Sequence, residues 1–240
     1  MKILACNIKN KMDRLETESY VEQLGEIVSE KAKLIICPSF LFLPLFKGGN
    51  YSLGSQDISS FNEATVTGEI TAKQLKSLDV SYVIIGHSER RNYKHEINID
   101  FINKINHAQE KDLRIIYCIG ETEEEKEHGE TFDILEKQIS EVLNNVVLKD
   151  IMIAYEPIWA IGSGKIPTIK EIQNTIEYIK DIVDEKYEQQ IKVLYGGSVN
   201  VDNIEVINNI EAVDGFLVGG ASLDVTNVKK MIEIIDNKGN

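Results

Sequence analysis

Short apolar runs alternate with longer amphipathic stretches along the whole chain. The strand-like runs lie near residues 2–7, 33–37, 51–55, 81–85, 113–118, 150–155, 191–195 and 214–218. Most are apolar on both faces, as in Val83-Ile84-Ile85 and Phe216-Leu217-Val218, the pattern of strands covered on both sides. Between them the spacing turns helical. Ile169, Ile172, Ile176, Ile179 and Val183 recur every three or four residues, and Thr168 with Glu171 forms a capping box at the start. Thr71 with Gln74 repeats that box ahead of Leu75 and Leu78. Leu135, Ile139, Val142 and Val146 make a further stripe, as do Tyr20, Val21, Leu24 and Val28. These stripes are predicted core faces.

No Pro/Ser-rich linker, charge block or low-complexity stretch divides the chain, so residues 1–240 are expected to form one domain. Eight strand-then-helix units predict a closed (β/α)8 barrel, α/β in class, and 240 residues is an ordinary length for one. A doubly wound open sheet is the alternative. It would be favoured by GxGxxG after the first strand, which is absent.

A hydrophobic content of 42% is enough for a substantial core. The net charge of −13 argues against nucleic acid or an anionic membrane as partner, because either would meet repulsion over most of the surface. A small anionic substrate fits only if the site supplies local positive potential. Cys6, Cys37 and Cys118 each fall in a strand-like run without a CxxC pair, and read as small buried thiols of a cytoplasmic protein. The apolar start from Ile3 to Cys6 is too short for a signal peptide, and no run reaches membrane-spanning length. His87, His95, His107 and His128 share no ligand spacing and there is no Walker motif, so neither a metal nor a cofactor is expected.

In a closed barrel, chemistry gathers where strands end and the following loops begin. Asn7 and Lys9 follow the first strand, two apart and therefore expected on one side of an extended chain. The fourth runs into His87-Ser88-Glu89-Arg90-Arg91, and the sixth into Glu156. The seventh ends in Tyr195-Gly196-Gly197-Ser198 and the eighth in Gly219-Gly220. Singly these read as a solvated turn, a structural histidine, a surface Glu89–Arg90 pair and tight turns. Together they bring a base, an electrophile and an anion pocket to one mouth. Gly-rich turns expose backbone N–H groups to phosphate oxygens, so the expected guest is a small phosphorylated metabolite. Glu156 opens the segment AYEPIWAIGSGK (residues 154–165), which puts a carboxylate at a rigid strand end under a loop suited to act as a lid.

That segment resembles the catalytic and lid segment of the triosephosphate isomerase family. GHSERR, YCIGET, YGGSV, GFLVGGASL and ATVTGEIT resemble other segments of the same family, and the likeness covers nearly the whole chain. The resemblance implies interconversion of dihydroxyacetone phosphate and glyceraldehyde 3-phosphate, a phosphorylated three-carbon substrate, without a cofactor. It implies Glu156 as base, His87 as acid, and Lys9 and Asn7 as groups that orient and stabilise the substrate. Gly162, Ser198, Gly219 and Gly220 would hold the phosphate, with Glu89, Tyr195 and Thr67 in support; Tyr195 and Ser198 are the expected partners of the closed lid, and Glu96 matches a structural acidic position. A homodimer is implied through the third loop (residues 56–69), with Thr67 packed beside the neighbour's Asn7 and Lys9 and a Glu69–Arg90 ion pair across the contact.

The chain departs from the family pattern at identifiable places. Ile8 stands where an aromatic is usual, which bears on packing beneath the site. Gln56-Asp57 replaces Gln-Asn, an extra carboxylate expected to weaken or reshape the dimer contact. Lys94-His95 replaces Phe-Gly near the interface, and Ile166-Pro167 follows Lys165 at the second lid hinge, where Thr-Ala is usual. Two rival readings are another phosphate-binding barrel isomerase, and a catalytically silent barrel kept for binding or adhesion.

Overall fold

The computed structural model describes residues 1–61, 65–161 and 165–237. Eight parallel strands, β1 (Lys2–Asn7), β2 (Ala32–Cys37), β3 (Ser52–Ser55), β4 (Tyr82–Ile85), β5 (Arg114–Ile119), β6 (Ile151–Tyr155), β7 (Lys192–Tyr195) and β8 (Gly215–Val218), pair in sequence order. The ring closes where Ile3 to Cys6 of β1 register with Gly215 to Val218 of β8. The open-sheet alternative is thereby excluded.

Because side chains alternate along a strand, seven of the eight strands feed two separate cores, while β3 turns Gly54, which has no side chain, toward the inner one. Ile3, Ala5, Ile35, Cys37, Ile84, Ile116, Cys118, Met152, Ala154, Leu194 and Leu217 form a cluster made of strand residues alone, the barrel interior. Their neighbours Leu4, Ile36, Val83, Ile115, Ile153, Val193 and Phe216 join a larger cluster with the helices. All three cysteines are buried, Cys37 and Cys118 inside the barrel and Cys6 on its helix-facing side.

Around the strands lie α1 (Arg14–Leu24), α2 (Ala72–Lys76), α3 (Ser88–Lys94), α4 (Asn98–Gln109), α5 (Glu123–Glu127), α6 (Thr131–Leu143), α7 (Ile169–Tyr187), α8 (Ile204–Asn208) and α9 (Val225–Asn237). The capping boxes at Thr168–Glu171 and Thr71–Gln74 are both formed. Pro167 is buried directly ahead of the first of these, next to the N-cap Thr168 of α7. Ile8, in place of an aromatic, is 3% exposed and packs into the helix-facing core.

Two predicted stripes overran their helices. Val28 lies beyond α1 and is 70% exposed, and Val146 lies beyond α6. In α1 the chain leaves the helix at Gly25, so the spacing that put Val28 on the buried face no longer applies. His95 ends α3 in the left-handed conformation, at φ 53, where glycine would carry no Cβ strain. Among the described residues no helix is long and apolar enough to cross a membrane.

Within α7, Ile176 is fully buried whereas Ile169, at the first turn, is 39% exposed. Ile176→Ala is expected to cost about 3 kcal/mol of stability, and Ile169→Ala under about 1 kcal/mol. Urea unfolding curves of the two variants check this; equal losses would contradict the assigned face.

Candidate active site

The inward parity of the strands continues past their ends. Asn7 follows Ile3 and Ala5, Glu156 follows Met152 and Ala154, Gly196 follows Leu194, and Gly219 follows Leu217. The alternation that fills the barrel therefore delivers these residues to its mouth. There a cavity of about 360 Å³ is lined by Asn7, Lys9, His87, Glu156, Ser198, Gly219 and Gly220, together with Lys11, Asn200 and Leu217.

Glu156 continues β6, with its N–H donating to the Ile119 carbonyl of β5 at 2.8 Å. Its neighbours leave no room for side chains. A Cβ on Gly120 would sit 1.8 Å from the Glu156 carbonyl oxygen, and one on Gly196 would sit 2.7 Å from Glu156 Cγ. The carboxylate is 3% exposed. Its Oε1 lies 3.3 Å from His87 Nε2, while Oε2 makes no hydrogen bond among the described residues.

His87 is the N-cap of α3, and its Nδ1 accepts the Glu89 N–H at 3.2 Å. A nitrogen that accepts a backbone N–H carries no proton of its own. The ring is thus held as the neutral tautomer with its proton on Nε2, facing Glu156. The short turn at the end of β4 makes this possible, since α3 begins at Ser88 directly beneath the ring.

Asn7 and Lys9 do not share one side of an extended chain. β1 ends at Asn7, and Lys9 adopts φ 54, a left-handed conformation costly for a side-chain-bearing residue. Two amides hold it there: Asn7 Oδ1 accepts the Lys9 N–H at 3.1 Å, and Gln56 Nε2 donates to the Lys9 carbonyl at 2.7 Å. The turn swings the Lys9 stem over Gly219, where an added Cβ would sit 3.4 Å from Lys9 Cε. Lys9 Nζ reaches Glu89 Oε1 at 2.5 Å.

Ser198 donates from Oγ to the Ala160 carbonyl at 2.5 Å, joining the end of β7 to the start of the expected lid. Tyr195 is fully buried below the cavity, its ring 6.3 Å from that of Tyr155, and its hydroxyl has no hydrogen-bond partner among the described residues. Gly162, expected at the phosphate, lies outside the described residues, as does most of the lid tip. Thr67 is exposed on the third loop and does not line its own chain's cavity.

Glu89 and Arg90 do not pair with each other: Glu89 takes Lys9, and Arg90 takes Glu96 and Asp57. Arg90 is thus paired inside its own chain, with a third of its side chain still exposed. Asp57 is equally no loose charge at a surface. It is 6% exposed and its carboxylate binds Arg90 at 2.6 Å and Lys104 at 2.7 Å.

Sequence reading also missed the parts that brace the site. Arg91 donates to the Gly86 and Cys118 carbonyls, tying the end of β4 to β5. Glu121 is almost fully buried and accepts from Trp159 Nε1 at 2.8 Å and the Tyr155 hydroxyl at 3.1 Å. Lys126 of α5 sits 3.5 Å from the centre of the Trp159 rings. A carboxylate in an apolar strand end, as in YCIGET, was the one available signal for Glu121.

Burial pushes the Glu121 carboxyl above its ordinary value of 4.5, against the opposing pull of the Trp159 N–H. The folded state then holds that proton more tightly than the unfolded chain. The stabilisation is complete below pH 4.5 and is lost as pH rises through the raised folded value. In unfolding measurements, wild-type stability relative to Glu121→Gln is expected to decline as pH rises across that window; a relative gain in stability there would contradict the assignment.

Comparison with known proteins gives the same picture over the whole length. The family model described as triosephosphate isomerase matches residues 2–235. A triosephosphate isomerase from Dictyoglomus turgidum is 41% identical over 236 residues, covering 92% of this chain and 94% of its own. Those from Alkaliphilus metalliredigens and Clostridium botulinum are each 38% identical, over 233 and 242 residues. They cover 92% and 96% of this chain, and 94% and 98% of their own. A barrel closed in sequence order, a carboxylate facing a neutral imidazole at its mouth and these full-length matches agree: the chain belongs to the triosephosphate isomerase family.

Proposed function

We propose that this chain interconverts dihydroxyacetone phosphate and D-glyceraldehyde 3-phosphate by cofactor-free proton transfer through an enediolate. The observation that carries the reading is the 3.3 Å approach of Glu156 Oε1 to His87 Nε2 on the floor of a cavity that also holds Lys9. Glu156 removes a proton from the carbon beside the carbonyl. The fixed backbone around it keeps the base in one place, which favours a near-attack geometry. Charge develops on the carbonyl oxygen, where the His87 Nε2 proton and the Lys9 ammonium stabilise it. The same carboxylate returns the proton to the adjacent carbon. A neutral imidazole suits this work because it donates from Nε2 without forming an ion pair that would blunt the Glu156 carboxylate as a base.

The phosphate is placed at the backbone of Gly219 and Gly220, with Ser198 and Gly162 completing its shell. Lys9 and Lys11 provide local positive potential in a chain whose net charge is −13. The loop from Pro157 closes over the intermediate and keeps water from it, in a contact to which Ser198 already contributes. Residues 1–240 act as one barrel domain in the cytoplasm, as a homodimer through the third loop, with Thr67 against the partner subunit's site. Exposed Leu41, Phe61 and Val66 on and beside that loop support the dimer, because large apolar side chains grouped at a surface favour burial against a partner.

Turnover of glyceraldehyde 3-phosphate, coupled to reduction of dihydroxyacetone phosphate, tests the reading. Glu156→Asp withdraws the carboxylate by about one bond length, and kcat is expected to fall about a hundredfold or more. Wild-type protein that is folded but inactive, or a variant as fast as wild type, would contradict it and favour a barrel kept for binding.

A further inference from the structure

Asp57, Arg90, Glu96 and Lys104 form a closed ring of alternating charge. Asp57 lies 2.6 Å from Arg90 and 2.7 Å from Lys104; Glu96 lies 2.5 Å from Arg90 and 2.6 Å from Lys104. The Lys104, Asp57 and Glu96 side chains are each under a tenth exposed. Two carboxylates and two cations balance, so each buried charge has compensation from both sides. The ring ties the loop after β3 to α3 and α4.

A second circuit runs through the same contact. Gln56, next to Asp57, donates to the Lys9 carbonyl at 2.7 Å and to the Cys37 carbonyl at 3.0 Å. Glu89, next to Arg90, accepts the Lys9 ammonium at 2.5 Å. Lys9 is thus gripped at its backbone by one segment and at its ammonium by another, and the Asp57–Arg90 pair locks those two segments together. The left-handed turn at Lys9 needs such an outside hold, because a residue strained at φ 54 relaxes when its partners move.

We propose that Asp57 is a positioning residue for Lys9: through Arg90 it fixes the spacing between the Gln56 amide and the Glu89 carboxylate, and so the place of the ammonium at the cavity. An amide at this position, usual in the family, would keep the shape but leave Arg90 to Glu96 alone, so this use of a charge is particular to this chain. The role deepens the isomerase reading and rests on it for its catalytic consequence, though the position of Lys9 can be read without turnover.

The test uses Asp57→Asn and a charge-balanced double variant, Asp57→Asn with Lys104→Met, which removes the cation left short of a partner. In both, KM for glyceraldehyde 3-phosphate is expected to rise about tenfold with a smaller change in kcat. In protein labelled with carbon-13 at lysine Cε, the Lys9 signal, assigned by its absence in Lys9→Met, is expected to move in both variants. Recovery of wild-type KM and of the Lys9 signal in the double variant would reduce the effect to charge imbalance and overturn the proposal. So would an unchanged KM and Lys9 signal in the single variant. A displaced Lys9 signal in protein that never turned over triose phosphate would uphold the positioning and reject the isomerase reading instead. If the single variant does not fold, the double variant decides alone.

Discussion

A carboxylate withdrawn from water at the barrel mouth is the constraint around which the rest of this structure is arranged. Glu156 is 3% exposed, and an ionised group so placed needs compensation close by. His87 Nε2, 3.3 Å from its Oε1, supplies part of it. The remaining requirement is steric, because the carboxylate must point into the cavity and nowhere else. Gly120 and Gly196 meet it by offering no Cβ where the Glu156 backbone and stem pass. The carboxylate is aimed by what its neighbours lack as much as by what they contribute.

The second requirement is electrostatic. A chain with net charge −13 repels a phosphorylated guest at long range, so attraction has to be local. In the proposed reading Lys9 provides it at some cost in backbone strain, with its ammonium held by Glu89 in the absence of substrate. Glu89 serves twice, since its backbone N–H fixes the His87 tautomer while its carboxylate steadies Lys9. One residue at the first turn of α3 thereby sets the states of two groups. Such sharing explains why the site depends on the placement of α3 as a whole, which Arg90 and Arg91 brace from its other side.

The architecture was legible because short runs apolar on both faces mark covered strands, and period-3.6 stripes mark the helices between them. All eight strand-like runs became strands, and the capping boxes marked where α2 and α7 begin. Failures came where a helix stopped early, as at Gly25, after which Val28 faced solvent. In the site, residues at strand ends stood out by type, and Asn7, Lys9, His87, Glu156, Ser198 and the Gly219-Gly220 pair do line one cavity. Pairings did not stand out. Nothing in the string says that Glu89 binds Lys9 rather than Arg90, or that Asp57 is neutralised 47 positions away by Lys104. Long-range charge pairs are products of the closed fold, invisible to local spacing. The left-handed turn at Lys9 was missed for the same reason, because the amide of Gln56 that sustains it arrives from another loop.

The central claim is that a carboxylate moves a proton off carbon and back. It is tested most directly by running the isomerisation in deuterium oxide and reading the product by proton NMR. The account predicts that a share of the product carries one solvent deuteron at the carbon beside the carbonyl, because a proton held by Glu156 exchanges in part with solvent before its return. Product free of deuterium even from a variant with a shortened loop after Pro157, where a proton on Glu156 meets water, would mean that hydrogen passes directly between the two carbons, and would contradict the role given to Glu156.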